Sequence, residues 1–366
     1  MPETIDPTIL LACAGLLIGF LLGVTIIYSQ FCTMGAVADI AISQHYGRMR
    51  SWLLAIVIAI SGTQLAAAYQ LLALEQTLYL QSHLYWLGAI IGGLLFGFGM
   101  VIACGCGARS IAMSGSGDLR ALVALIVLGI VAYMTMRGIF AVPRSWFYRA
   151  TVIDSSAWLA TPSLHNALAI LLNISEKTSR VLGVLAIAVP ILWFIFKDPE
   201  FRASPKRIIA GITVGLLVLA GWLATGWILN DEFEETPPES LTFIAPVGDS
   251  LQYLMIWTGT SITFGVAVVG GLLIGGWATS LYRKEFYFRG FEDAAEMGRY
   301  MGGGALMGMG GALAGGCTFG QGISGVSTLS LMSFLSLASI IIGAFIGVRY
   351  LEQGSIIAAL QKMWRL

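Results

Sequence analysis

The sequence predicts an all-α, polytopic integral membrane protein, and three observations carry that prediction. Hydrophobic residues make up 57% of the 366 and charged residues only 11%, with a mean hydropathy of +0.83. A soluble domain carries roughly 25% charge. Several runs reach the ~20 apolar residues that a helix needs to cross the hydrocarbon core. A glycine-rich apolar segment also occurs twice. At one constant offset the copies share Gly92/Gly303, Gly93/Gly304, Leu95/Leu306, Gly97/Gly308, Gly99/Gly310, Ala103/Ala314, Gly105/Gly316 and Cys106/Cys317. Formal net charge is zero, so nothing points to nucleic acid.

Nine spans are expected, at about 8–30, 52–74, 86–105, 121–140, 181–196, 208–228, 260–281, 301–317 and 333–350. The N-terminus, Met1-Pro2-Glu3-Thr4, lacks the basic region of a cleaved signal peptide. Segments 33–45, 107–116, 241–256 and 318–331 are too short and too polar to span, and read as short or re-entrant helices. With these spans, fifteen of the 20 Lys and Arg fall on one side, among them Arg48, Arg109, Arg120, Lys206, Arg283, Lys362 and Arg365. Only Arg137, Arg144, Arg149, Lys177 and Arg180 fall on the other. The positive-inside rule then sets the N-terminus outside and the C-terminus in the cytoplasm, with the acidic stretch Asp231–Ser240 outside.

That topology runs the Cys106 segment inward and the Cys317 segment outward. The copies become inverted repeats, an arrangement that builds substrate sites where broken helices meet near the midplane. The expected division is a first half at 1–150, a connecting segment with one span at 151–207, and a second half at 208–366. The 45 glycines fit close helix contacts and helix breaks.

Three motifs carry chemistry: Gln30-Phe31-Cys32-Thr33-Met34-Gly35, Ala103-Cys104-Gly105-Cys106-Gly107, and Ala314-Gly315-Gly316-Cys317-Thr318-Phe319-Gly320-Gln321-Gly322. A thiol is polarizable and weakly polar, so it can contact a soft sulfur anion without the desolvation cost of a buried cation. Flanking glycines let backbone N–H groups approach, and helix N-termini add positive potential. Gln30 and Gln321 either bond substrate oxygens or satisfy broken backbone. Arg109 is a candidate anion-attracting group at the inner mouth. Cys13, mid-span, reads as packing, and His45, His83 and His165 as solvated groups rather than metal ligands. No cofactor is expected.

These motifs resemble the YeeE/YedE family of sulfur-compound transporters, through Phe31-Cys32, the segment from Phe96 to Cys106, and the segment from Met307 to Gly322. The resemblance implies a thiosulfate permease of the inner membrane rather than an enzyme. It implies that Cys32, Cys106 and Cys317 line a central path in an hourglass-shaped protein, passing the anion between thiols. It also suggests a small cytoplasmic sulfurtransferase as partner. The chain departs from the family at Cys104, where Gly is usual, and at Gly107-Ala108-Arg109, where a small-x-Gly is usual. Three alternatives remain open at this level. One is a membrane sulfurtransferase or dithiol carrier using Cys104-x-Cys106. Another is a soft-metal transporter. The third is uptake of a selenium compound.

Overall fold

Helix ends are set by local chemistry. Asp6 accepts the Thr8 N–H ahead of Pro7 to start α1 (Pro7–Ser29), and Asp118 accepts from the N–H groups of Arg120 and Ala121 to start α6 (Leu119–Met136). The computed structural model describes residues 6–155, 161–228 and 237–354, almost wholly as helix. Between α1 and α6 lie α2 (Thr33–Ser43), α3 (Gly47–Ala68), α4 (Trp86–Ile102) and α5 (Gly107–Gly115). Then come α7 (Ala141–Thr151), α8 (Leu164–Leu172), α9 (Glu176–Phe196), α10 (Pro199–Arg202), α11 (Pro205–Ile228), α12 (Ile244–Met255), α13 (Phe264–Tyr282), α14 (Ala294–Ala314) and α15 (Leu331–Gln353). A π-helical turn, Gly320–Gly325, precedes α15. Two-residue strands His83–Leu84 and Ile153–Asp154 pair antiparallel.

Among the described residues, eight helices or helix pairs are long and apolar enough to cross a membrane, the first joining α1 to α2 and the third joining α4 to α5. The chain is a multi-pass membrane protein. The expected span at 301–317 corresponds to α14, which has the length at 21 residues. Its seven glycines and the first-turn Glu296 hold down its apolarity. The other expected spans match helices to within about six residues. The short segments also form helices, namely α2, α5, α12 and the turn before α15. Amphipathic α7 and short α8 were not anticipated, since neither reaches spanning length. The distal part of the acidic stretch (231–236), Lys362 and Arg365 lie outside the described residues.

Packing recurs in matched pairs. The offset that carries Cys106 to Cys317 also carries α2 onto α12, α4 onto α14 and α6 onto the start of α15. In the structure α1 lies along α13 and α11 along α3, α4 against α15 and α14 against α6, α2 against α15 and α12 against α6. At the centre α4 packs on α14. The shared glycines make these contacts: a Cβ at Gly92 would stand 2.5 Å from the Ala314 nitrogen, one at Gly303 2.6 Å from the Ala103 nitrogen, and one at Gly308 2.5 Å from the Leu128 carbonyl oxygen. Backbone meets backbone at distances that only glycine admits.

Candidate substrate pathway

Each of the three motif cysteines sits where a long helix stops and a shorter helical segment starts. Gln30, left-handed at φ 55°, ends α1, and Cys32 caps α2 in extended backbone, its sulfur accepting the Gly35 N–H at 3.4 Å. Cys106 caps α5 without a side-chain capping bond. Gly315, left-handed at φ 71°, ends α14, and the Cys317 sulfur accepts the Gly320 N–H at 3.4 Å. Backbone N–H groups of Phe319 and Phe243 also approach that sulfur. Sulfur therefore lies beside unpaired helix-start donors at each break, where an anion is favoured.

These breaks come together. Cys32, Cys106 and Cys317 are 4%, 1% and 1% exposed. The thiols of Cys32 and Cys106 are neighbours close enough to interact, and Cys317 lies within electrostatic reach of Cys106. Phe319 stands between Phe31 and Phe243, with ring centroids at 6.1 and 5.4 Å, and all three rings are buried. Dry aromatic walls exclude water around the sulfurs and strengthen every dipole aimed at a guest.

The remaining sequence candidates divide. Arg109, half-buried in the first turn of α5, acts electrostatically on Cys32 and pairs with no carboxylate among the described residues. Gln321 satisfies broken backbone: its amide donates to the Ala314 carbonyl at 3.0 Å and its oxygen accepts from Ser333 at 2.7 Å. Gln30 is exposed and has no bond to a motif cysteine among the described contacts. Cys104 is exposed, left-handed at φ 56°, and meets the Tyr300 hydroxyl, away from buried Cys106. Gly105 and Gly107 would meet nothing closer than 3.5 and 3.6 Å through a Cβ, so neither is sterically obligatory. Gly316 and Gln321 line the floor of a cavity.

Two expectations are corrected. Cys13 is exposed on α1 rather than packed. His165 is 4% exposed, enclosed where Leu164 N–H bonds the Leu329 carbonyl and Ser179 bonds the His165 carbonyl. His45 is partly exposed and faces Glu200 at 3.0 Å, and His83 is exposed at the cavity wall.

The cavity encloses about 390 Å³ and reaches Gly315 and Gly316, the residues before Cys317. Tyr79, in its wall, is electrostatically coupled to Cys317. Arg144 and Glu239 also line it. Sequence reasoning missed all three, because they lie in connections between spans, far from any cysteine motif. Membership of the sparse second set of basic residues was the one signal for Arg144.

Two relatives align over nearly the whole chain. The thiosulfate transporter TsuA of Escherichia coli (strain K12) is 27% identical over 356 residues, 91% of this chain and 92% of the relative. The thiosulfate transporter TsuA of Spirochaeta thermophila is 25% identical over 355 residues, 90% of this chain and 96% of the relative. The family profile described as Sulphur transport matches residues 28–346, a stretch that contains every thiol of the buried cluster, and the chain therefore belongs to that family, the YeeE/YedE group its motifs resemble.

Proposed function

We propose that this protein is a permease of the cytoplasmic membrane that imports thiosulfate or a closely related small sulfur anion and hands it along Cys317, Cys106 and Cys32. The observation that carries the proposal is the buried convergence of thiols contributed by three separate helix breaks, two of them close enough to interact. The names and full-length alignment of the relatives support thiosulfate as the substrate. Weak thiol donors and backbone N–H groups let the anion move on, where a buried Lys or Arg would trap it.

The two halves, 1–150 and 208–366, act in this reading as inverted repeats joined through 151–207, with α14 as a ninth span. The N-terminus is outside and the C-terminus cytoplasmic. Support comes from the matched packing pairs and from the asymmetry of the basic residues. Importing a dianion against an inside-negative potential costs about 2.3 kcal/mol per charge per 100 mV. Consumption by a small cytoplasmic sulfurtransferase would offset that cost.

Uptake of labelled thiosulfate into proteoliposomes, with sulfate, sulfite and selenite as competitors, tests the reading. Cys106→Ala and Cys317→Ala should each abolish uptake, and parental uptake by either ends the relay idea. The closeness of Cys32 and Cys106 favours one second reading, a membrane sulfurtransferase or dithiol carrier. A disulfide or persulfide trapped during turnover and seen by mass spectrometry supports that reading, and its absence removes it.

A further inference from the structure

Among the described residues, Arg144 is the one guanidinium in the wall of the cavity that reaches Gly315 and Gly316, next to Cys317. It lies on α7, and Tyr148, one turn later, fastens that helix to the end of α14 by donating to the Leu313 carbonyl at 2.7 Å. The Arg144 guanidinium stands 5.5 Å over the Tyr148 ring and donates one bond, at 3.1 Å, to the Met136 carbonyl. Its Nε is buried and has no hydrogen-bond partner. No carboxylate pairs with it among the described residues, whereas neighbouring Arg137 stands 4.0 Å from Asp249. A half-buried guanidinium held in a wall with an orphaned N–H and no paired carboxylate among the described residues bears a desolvation cost that a bound anion would offset. Five donors in a planar fork match the paired oxygens of a small oxyanion.

We propose that Arg144 captures the oxygen-bearing end of the substrate in this cavity, presenting the soft sulfur end toward Cys317. The proposal rests on the transport reading above and deepens it. Recognition then has two ends: a hard cation for oxygens and a soft thiol for sulfur. A symmetric oxyanion such as sulfate satisfies only the first end, so it would occupy the cavity without being passed on.

The test measures thiosulfate uptake against concentration for the parent, Arg144→Gln and Arg144→Lys in proteoliposomes. Arg144→Gln should raise KM roughly tenfold or more, the range for a lost charge-assisted bond, and leave the maximal rate within about twofold. Arg144→Lys keeps the charge but not the fork and should fall between. A parental KM in Arg144→Gln, or a loss of maximal rate alone, overturns the proposal. If Arg144→Gln does not fold, a parental KM in Arg144→Lys overturns it. If the parent itself transports nothing, the transport reading fails, and thermal stabilisation of the detergent-solubilised protein by thiosulfate, sulfite or sulfate decides. Stabilisation that Arg144→Gln abolishes sustains the anion site, and stabilisation that is absent or unchanged removes it.

Discussion

Replacing Gly92 by Ala tests the closeness of α4 and α14 on which the cysteine geometry depends. The added Cβ would stand 2.5 Å from the Ala314 nitrogen, 2.6 Å from the Gly310 carbonyl oxygen and 2.8 Å from the Leu313 Cβ. Ordinary contact begins at 3.4 Å, so the backbones must part by about an ångström, because neither oxygen nor nitrogen of a helix can rotate aside. Overpacking of this kind costs about 1–3 kcal/mol, against a gain of up to about 1 kcal/mol from replacing Gly within a helix. Gly302→Ala on α14 is the matched control, since its Cβ meets nothing within 4 Å. It keeps the gain without the clash, so the two variants should differ by about 1–3 kcal/mol. Thermal unfolding in detergent reads this as a midpoint a few degrees lower for Gly92→Ala than for Gly302→Ala. Thiosulfate uptake should fall as well, since the displaced backbone leads straight into Gly315, Gly316 and Cys317. Equal midpoints for the two variants would refute the close approach.

Other substitutions probe separate parts. Cys106→Ser should cut uptake at least tenfold, whereas Cys13→Ala, on an exposed face of α1, should leave it unchanged; both are read by labelled uptake. Arg120 donates to Asp118 and Glu296, both at 3.0 Å, and is 7% exposed beside 8% exposed Asp118. Arg120→Ala strands that carboxylate and should destabilise by about 3–5 kcal/mol, seen as a large fall in the unfolding midpoint, whereas Arg283→Ala, at a partly exposed site beside exposed Glu285, should shift it little. Burial, reinforced by Asp249 and opposed by the Gly265 N–H, raises the Glu239 carboxyl to about 7. Asp249 is itself faced by Arg137, and Arg144 and His83 share the cavity wall. A raised acid is neutral below that pH and ionises above it, adding a negative charge to the cavity proposed to receive the anion. Uptake should therefore fall as pH rises from about 6 to 8, and Glu239→Gln should flatten that part of the profile. An unchanged slope in Glu239→Gln would exclude the group.

Membrane character, the helical spans and the three thiol motifs were legible in the chain alone. Hydropathy over some twenty residues is a local property, and so are helix stops such as Gly315 and caps such as Asp118. The glycine pattern shared by α4 and α14 was likewise legible in the chain. What only the tertiary structure decided is which groups meet. The approach of Cys32 to Cys106 depends on how α1, α4 and their partners pack, and no local pattern encodes it. The same holds for Gln321, whose amide turns to the Ala314 carbonyl, and for Cys104, which parts from Cys106 despite lying two residues away. Arg144, Tyr79 and Glu239 came to the cavity from three different connections. Burial makes each of them consequential, and burial is a property of the assembled fold rather than of any segment.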